Sequence, residues 1–249
     1  MKKGINVVVD CDEVLTDISP LWTQKIYENR DYFDKFFNLE ESFDMSNPED
    51  YKKILSRKDF YLNKHFMKND LSEEDKKEVQ EKFMELYDNE EFYSECFPTK
   101  AFANLLNMKQ GKLVEKIYVV TRTTEKTKQS KEEFIRMYST IIGSDDLEII
   151  NVGTNEKKSD YIKDLPNIGM VIDDELKNIN DIIDNCPNIW NNEVVFFVPY
   201  TGYNEPTAEL YDKVDEKEIS LMYYPIFNIG EEEILSNEEL EKVYGDLAI

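Results

Sequence analysis

The sequence predicts an α/β fold, a parallel β-sheet flanked by helices, with a helical unit inserted after the first strand. Three observations lead there. Short apolar, β-branched runs alternate with helical patterns, the signature of strand–helix–strand units. Two of those runs stop at pairs of aspartates, Asp10/Asp12 and Asp173/Asp174. The stretch between the first two runs is far longer than a crossover requires, and it carries helix signals of its own.

The runs are residues 5–9, 117–120, 147–152, 168–172 and 194–198. Continuous apolar runs of this length read as strands buried on both faces, as in a parallel sheet. Between the second and third, Ser130-Lys131-Glu132-Glu133 reads as a capping box. Phe134, Met137, Tyr138 and Ile141 follow at helical spacing, and Gly143 is the expected stop. Between the fourth and fifth, Leu176, Ile179, Ile182 and Ile183 form another helical face. In the long gap, Ser19-Pro20 and Asn47-Pro48 place proline in a first helical turn. Ser72-Glu73-Glu74-Asp75 opens a further helix, with Val79, Phe83, Leu86 and Tyr87 on one face, and residues 102–108 return to the sheet as a helix. Near the end, residues 219–229 read as an edge strand interrupted by Pro225, and Ser236-Asn237-Glu238-Glu239 as the cap of a last helix. The expected organisation is a core of residues 1–18 and 98–205, a helical cap of 19–97, and a C-terminal extension of 206–249 packed on the core.

Composition narrows the function. A net charge of −23 disfavours nucleic acid as a partner, because the average surface repels phosphate. A small anionic substrate remains possible where positive charge is concentrated, as at Arg122, Lys126, Lys128 and Lys131, then Lys157 and Lys158. No run approaches the roughly 18 apolar residues of a membrane span, so no membrane partner is expected. The apolar run after Met1-Lys2-Lys3 is too short for a signal peptide. Three cysteines (Cys11, Cys96, Cys186), an odd count without metal-ligand spacing, suit a reducing cytoplasm. Sixteen of the 31 aromatic residues fall between Trp22 and Phe97. A small helical unit needs bulky side chains for its core; the sharper alternative is that some rings stack on a planar ligand.

The aspartate pairs carry the chemistry. In open parallel sheets, ligands bind just beyond the carboxyl ends of the strands. If the two strands are neighbours, several carboxylates converge there, repelling one another unless a cation sits among them. A hard divalent ion, Mg²⁺ above all, is the expected cofactor. Asp10 and Asp12 straddle the strand exit, so that one can attack while the other handles protons. Thr121 places a hydroxyl at the end of the second strand, where it can bond a phosphoryl oxygen. Lys157 and Lys158 lie near the start of the helix before the fourth strand, where cations oppose the helix dipole; a site duty there would explain the choice.

The ordered set Asp10-x-Asp12-x-Val14-Leu15, Thr121, Lys158 and Asp173-Asp174 resembles the four motifs of the haloacid dehalogenase-like (HAD) phosphatase superfamily. The longer match through Asp17, with a helical insertion after it, is similar to the 5'(3')-deoxyribonucleotidase branch. The resemblance implies a HAD-like, Rossmann-like core and a phosphomonoester hydrolase acting on a small phosphorylated substrate, with nucleoside monophosphates first in line. It makes Asp10 the nucleophile that becomes an aspartyl-phosphate, and Asp12 the general acid and base. Thr121 would bind the phosphoryl group and Lys158 would neutralise charge, with Lys157 and Lys163 as rival positions for that lysine. Asp10, the main-chain carbonyl of Asp12, Asp173 and Asp174 would form the Mg²⁺ site. Arg122 is the expected contact to a second polar group of the substrate. A phosphatase acting on a nucleic-acid 3'-phosphate end and an inactive interaction protein of the same fold are the competing readings. Two positions depart from the pattern: Glu13 stands where many members have glycine, and Ile18 where the nucleotidase branch tends to carry an aromatic residue. His65, the sole histidine, reads as structural.

Overall fold

The computed structural model of the chain describes residues 4–190, 194–199 and 201–224. Strand β1 (Ile5–Val9) leads into the insertion, where α1 (Ile18–Glu28), α2 (Arg30–Phe33), α3 (Pro48–Leu55), α4 (Leu62–Phe66) and α5 (Glu73–Tyr87) are followed by a 3-10 turn at Phe92–Glu95. The chain then alternates: α6 (Lys100–Gln110), β2 (Val114–Arg122), α7 (Thr127–Tyr138), β3 (Leu147–Val152), α8 (Lys158–Ile162) and β4 (Ile168–Ile172). Helices α9 (Leu176–Asn185) and α10 (Pro187–Trp190), strand β5 (Val195–Pro199), helix α11 (Ala208–Glu216) and strand β6 (Ser220–Tyr224) follow within the described residues.

Among the described residues six strands pair in parallel in the order β3-β2-β1-β4-β5-β6. The chain runs outward from β1 to one edge, then returns beside β1 and runs to the other, so the winding reverses between β1 and β4. That reversal is where open α/β sheets leave a crevice at the carboxyl ends of their strands. In register, Val9 lies opposite Val119 on one side and Ile172 on the other. Asp10 and Asp173, each one residue further on, therefore leave the sheet side by side, and the Asp10 N–H donates to the Ile172 carbonyl at 2.9 Å.

Two apolar clusters cover the sheet faces. One includes Val7, Val9, Phe102, Leu105, Ile117, Val119 and Phe134; the other includes Val8, Val120, Val171, Ile179, Ile182, Phe196 and Leu210. A third, with Ile26, Phe33, Phe37, Ile54, Phe66, Val79 and Phe83, lies wholly within the insertion. The aromatic crowd mostly packs on itself there: Trp22 stacks on Phe83 and Tyr87 with centroids 4.1 and 4.9 Å apart, and Phe33 stacks on Phe37 at 5.1 Å. His65 lies edge-on to Phe66, and burial lowers its pKa, as suits a packed histidine.

Side-chain caps mark four of the helix starts, those of α3, α5, α6 and α11. Asn47 accepts from the Glu49 N–H before Pro48, and Ser72 with Asp75 forms a full capping box on α5. The start expected at Ser130 is displaced. Helix α7 begins at Thr127, where Thr124 and Thr127 exchange hydrogen bonds between hydroxyl and N–H at 3.1 Å in both directions. Ser130 is instead interior, its hydroxyl bonded back to the Thr127 carbonyl. The helix ends at Tyr138 rather than Gly143, and Met137 and Ile141 are exposed. Within the stretch expected as an edge strand, residues 220–224 form a strand; the rest of that stretch from Pro225 and the helix expected after Ser236 lie outside the described residues. Among the described residues no helix is long and apolar enough to cross a membrane.

Candidate active site

The turn after β1 has an unusual backbone. Glu13 has φ 55°, in the left-handed region that glycine enters freely and that costs other residues about 1–2 kcal/mol. The side chain shows what offsets this: its carboxylate accepts from both the N–H (2.9 Å) and the hydroxyl of Ser19, capping the first turn of α1. The departure from glycine thus has a structural duty, fastening the insertion's first helix to the turn that holds Asp10 and Asp12.

Asp10, Asp173 and Asp174 are buried, and one carboxylate oxygen from each lies within 4.8 Å of the others. Lys158, 2% exposed, bridges two of them, with Nζ 2.8 Å from Asp10 Oδ2 and 2.7 Å from Asp173 Oδ2. This selects among the three lysines: Lys157 pairs with Asp181 and Lys163 with Asp160, both at the surface. Helix α8 starts at Lys158, which turns the side chain back under the strand ends. The other Asp10 oxygen accepts from the Cys11 N–H at 2.7 Å. Asp173 also accepts from the Glu175 N–H and the Asn178 amide, each at 2.9 Å. Asp174 accepts from the Tyr203 hydroxyl at 2.7 Å.

Three buried carboxylates face one ammonium, so repulsion among them adds to the cost of burial at Asp173 and Asp174. Burial raises Asp173, Lys158 pulls it down and Asp10 pushes it up again, with a result of about 6. Burial, then Asp173 and Asp10, hold Asp174 well above the usual carboxylate range. Burial works against the Lys158 charge, but Asp10 and Asp173 outweigh it and raise its pKa. An all-oxygen, net-negative cluster of this kind fits a hard divalent cation, which would relieve the repulsion.

Asp12 turns to a different neighbourhood. Its Oδ2 receives Lys131 Nζ at 2.9 Å and the Tyr87 hydroxyl at 3.2 Å, and its Oδ1 receives the Tyr93 hydroxyl at 2.7 Å. Lys131 Nζ also donates to Thr121 Oγ1 at 3.2 Å and to the Arg122 carbonyl at 2.8 Å. Thr121 is fully buried. The Arg122 side chain, expected to face the substrate, is ion-paired to Glu175 at 3.0 Å. Its main chain, not its guanidinium, enters the network.

Lys131, Tyr87, Tyr93, Asn178 and Tyr203 join the site without having been singled out for it by sequence. For Lys131 a signal existed: with the helix started at Thr127, positions 127, 130, 131, 134 and 135 share one face, and all five are buried. Reading the lysine as part of a loose basic group hid it. The insertion meets the core at a second point. Gly202 N–H donates to the Leu55 carbonyl at 3.2 Å, and a Cβ on Gly202 would lie 2.0 Å from the Ser56 oxygen. The neighbouring Arg57 guanidinium lies 4.6 Å over the Tyr203 ring.

No family model matches the chain, and no curated protein resembles it in sequence at a significant level. Solved structures do resemble it in shape. A haloacid dehalogenase-like family hydrolase from Streptococcus pneumoniae aligns over 91% of this chain and 96% of its own, with a TM-score of 0.52 and 12% identity. A HAD-superfamily, subfamily IA hydrolase from Geobacter sulfurreducens is a looser likeness: TM-score 0.41 and 16% identity over 84% of this chain and 98% of its own. The first likeness defines the fold: the six-stranded parallel sheet flanked by helices is a HAD-like, Rossmann-type α/β core.

Proposed function

We propose that the chain is a Mg²⁺-dependent phosphomonoester hydrolase working through an aspartyl-phosphate on Asp10, with small phosphorylated substrates, nucleoside monophosphates first among them. The observation that carries this reading is the juxtaposition of Asp10, Asp173 and Asp174 around Lys158 at the switch point of a HAD-like sheet. Phosphoryl transfer needs positioning and charge neutralisation more than elaborate covalent machinery, and this cluster supplies both.

Asp10, Asp173, Asp174 and the Asp12 main-chain carbonyl would hold the metal, whose chemistry is to neutralise phosphoryl oxygens and orient them for attack. In the first half-reaction an Asp10 carboxylate oxygen attacks phosphorus, the bond to the leaving oxygen breaks, and Asp12 delivers a proton to that oxygen. In the second, Asp12 takes a proton from water as it attacks the acyl phosphate, releasing inorganic phosphate and restoring the Asp10 carboxylate. Thr121 donates to a phosphoryl oxygen, and Lys158 keeps Asp10 and Asp173 from repelling one another. We read residues 19–97 as the cap that closes over the leaving group, and Arg122 as a residue that exchanges Glu175 for substrate. The free, buried cysteines suit the reducing cytoplasm in which we place the protein.

The test is hydrolysis of an aryl phosphate with Mg²⁺ and with excess chelator, followed by a panel of nucleoside 5'- and 3'-monophosphates, sugar phosphates and 3'-phosphorylated oligonucleotides. Metal-dependent turnover with preference for nucleotides is expected. Absence of turnover on every member favours an inactive interaction protein, and preference for the oligonucleotide favours an end-processing enzyme.

A further inference from the structure

Resting on that reading, we propose that Lys131, with Tyr93 and Tyr87, is a positioning device that sets Asp12 and Thr121 in their working orientations and ties the acid–base group to the inserted segment. Lys131 is fully buried, and each of its three N–H bonds has an acceptor: Asp12 Oδ2, Thr121 Oγ1 and the Arg122 carbonyl. A buried ammonium with every proton committed is a fixed object, not a mobile surface charge. Three acceptors around Nζ, one of them a carboxylate oxygen, are the surroundings of an ammonium rather than a neutral amine. The Tyr93 ring, 4.9 Å from Nζ, covers it from the side of the insertion.

The consequence for Thr121 is directional. A hydroxyl oxygen that accepts from an ammonium keeps its own hydrogen free, so Thr121 is left as a donor, the polarity a phosphoryl oxygen requires. The consequence for Asp12 is orientational. Lys131 and Tyr87 hold one oxygen and Tyr93 the other, which fixes the plane of the carboxylate and separates it from the Asp10–Asp173–Asp174 cluster. Two of these donors come from the insertion, Tyr87 at the end of α5 and Tyr93 in the following 3-10 turn, with their hydroxyls 2.9 Å apart. The third comes from core helix α7. Asp12 is therefore held correctly only when the insertion is seated on the core.

The experiment compares wild type, Lys131→Met, Tyr93→Phe, Asp12→Asn and the Lys131→Met/Asp12→Asn double variant. Each is measured with Mg²⁺ on aryl phosphates of graded leaving-group acidity, alongside orthovanadate inhibition as a probe of phosphoryl binding. Lys131→Met is expected to lower kcat/KM by roughly 10²-fold on poor leaving groups and much less on good ones, the pattern of a disturbed general acid. It is also expected to weaken vanadate inhibition, because Thr121 loses its fixed polarity. The double variant should be little worse than Asp12→Asn alone, since a residue acting through Asp12 has nothing left to position. Tyr93→Phe, which removes one oxygen from a packed ring, should show the same leaving-group pattern at roughly tenfold, and it decides the matter if Lys131→Met does not fold. Wild-type-like kinetics in folded variants, equal losses for all leaving groups, or multiplicative losses in the double variant would overturn the proposal. A wild-type protein inactive on all aryl phosphates would instead overturn the parent reading.

Discussion

The two halves of the site are built differently. The Asp10 half is made entirely by the core: Asp10 after β1, Lys158 opening α8, and Asp173 and Asp174 after β4, with Asn178 behind them on α9. The Asp12 half is composite, with Thr121 and Lys131 from the core and Tyr87 and Tyr93 from the insertion. One half follows from the sheet winding, whereas the other also needs side chains from the long segment between β1 and β2. The first half should therefore be indifferent to the leaving group and the second sensitive to it.

Variants of the core half should give the largest effects, equal across substrates. Asp10→Asn is expected to reduce turnover by a factor on the order of 10⁴ or more, because a neutral amide cannot attack phosphorus. Steady-state assays of the folded variant on several aryl phosphates check this, and a loss confined to poor leaving groups would blur the division. Lys158→Met leaves buried carboxylates without their ammonium, and breaking such a pair costs about 3–5 kcal/mol. Chemical denaturation without metal reads that loss. Mg²⁺ should recover part of it, and Ca²⁺, with its longer and more numerous oxygen contacts, should restore stability better than activity.

Asp12→Asn belongs to the composite half and should cost roughly 10² to 10⁴ in rate, least on substrates with good leaving groups. A uniform loss in a leaving-group series would place Asp12 with the core half instead. A smaller effect is expected at the second meeting point of the two units. Gly202→Ala would push a methyl into the Ser56 carbonyl, and the forced shift should destabilise the protein by about 1–3 kcal/mol and raise KM more than it lowers kcat.

A separate effect concerns pH. Burial first, then Glu13, push Asp17 from its ordinary 3.8 to about 8, with the Tyr51 hydroxyl pulling the other way. The folded state thus binds a proton that the unfolded state releases near pH 4. This contribution to stability is fully present below about pH 4 and is lost as pH rises towards 8. Asp17→Asn, which cannot titrate, should flatten the fall of stability across that window; an unchanged slope in denaturation midpoints would remove Asp17 as its source.

The same division governs how much could be read in advance. Strand ends followed by acidic pairs are local signals, and β1, β3 and β4 match their apolar runs residue for residue. Strand β2 begins at Val114, earlier than its run, because Glu115 and Lys116 interrupt the apolar pattern without breaking the ladder. Lys158 is the first choice from sequence, with Lys157 and Lys163 as rivals, because the choice depends on where α8 starts. Lys131 was hidden by its residue type: a lysine on a charged helix ordinarily points to water, and this one is held inside by Asp12, Thr121 and the Arg122 carbonyl, which lie far from it in sequence or beyond the reach of helix periodicity. Tyr87 and Tyr93 look like any core aromatics until their hydroxyls are placed. Such partners belong to an interface between units distant in sequence, which no local pattern encodes.

The most direct test of the central claim is to trap the covalent intermediate. Protein reacted briefly with a ³²P-labelled phosphomonoester and Mg²⁺, then quenched in acid, should carry label that hydroxylamine removes, as an acyl phosphate requires, and that maps to Asp10. Label should accumulate in Asp12→Asn, where hydrolysis of the intermediate is slowed, and be absent in Asp10→Asn. Turnover of the same substrate with no acid-stable label, and with activity retained in Asp10→Asn, would contradict the account.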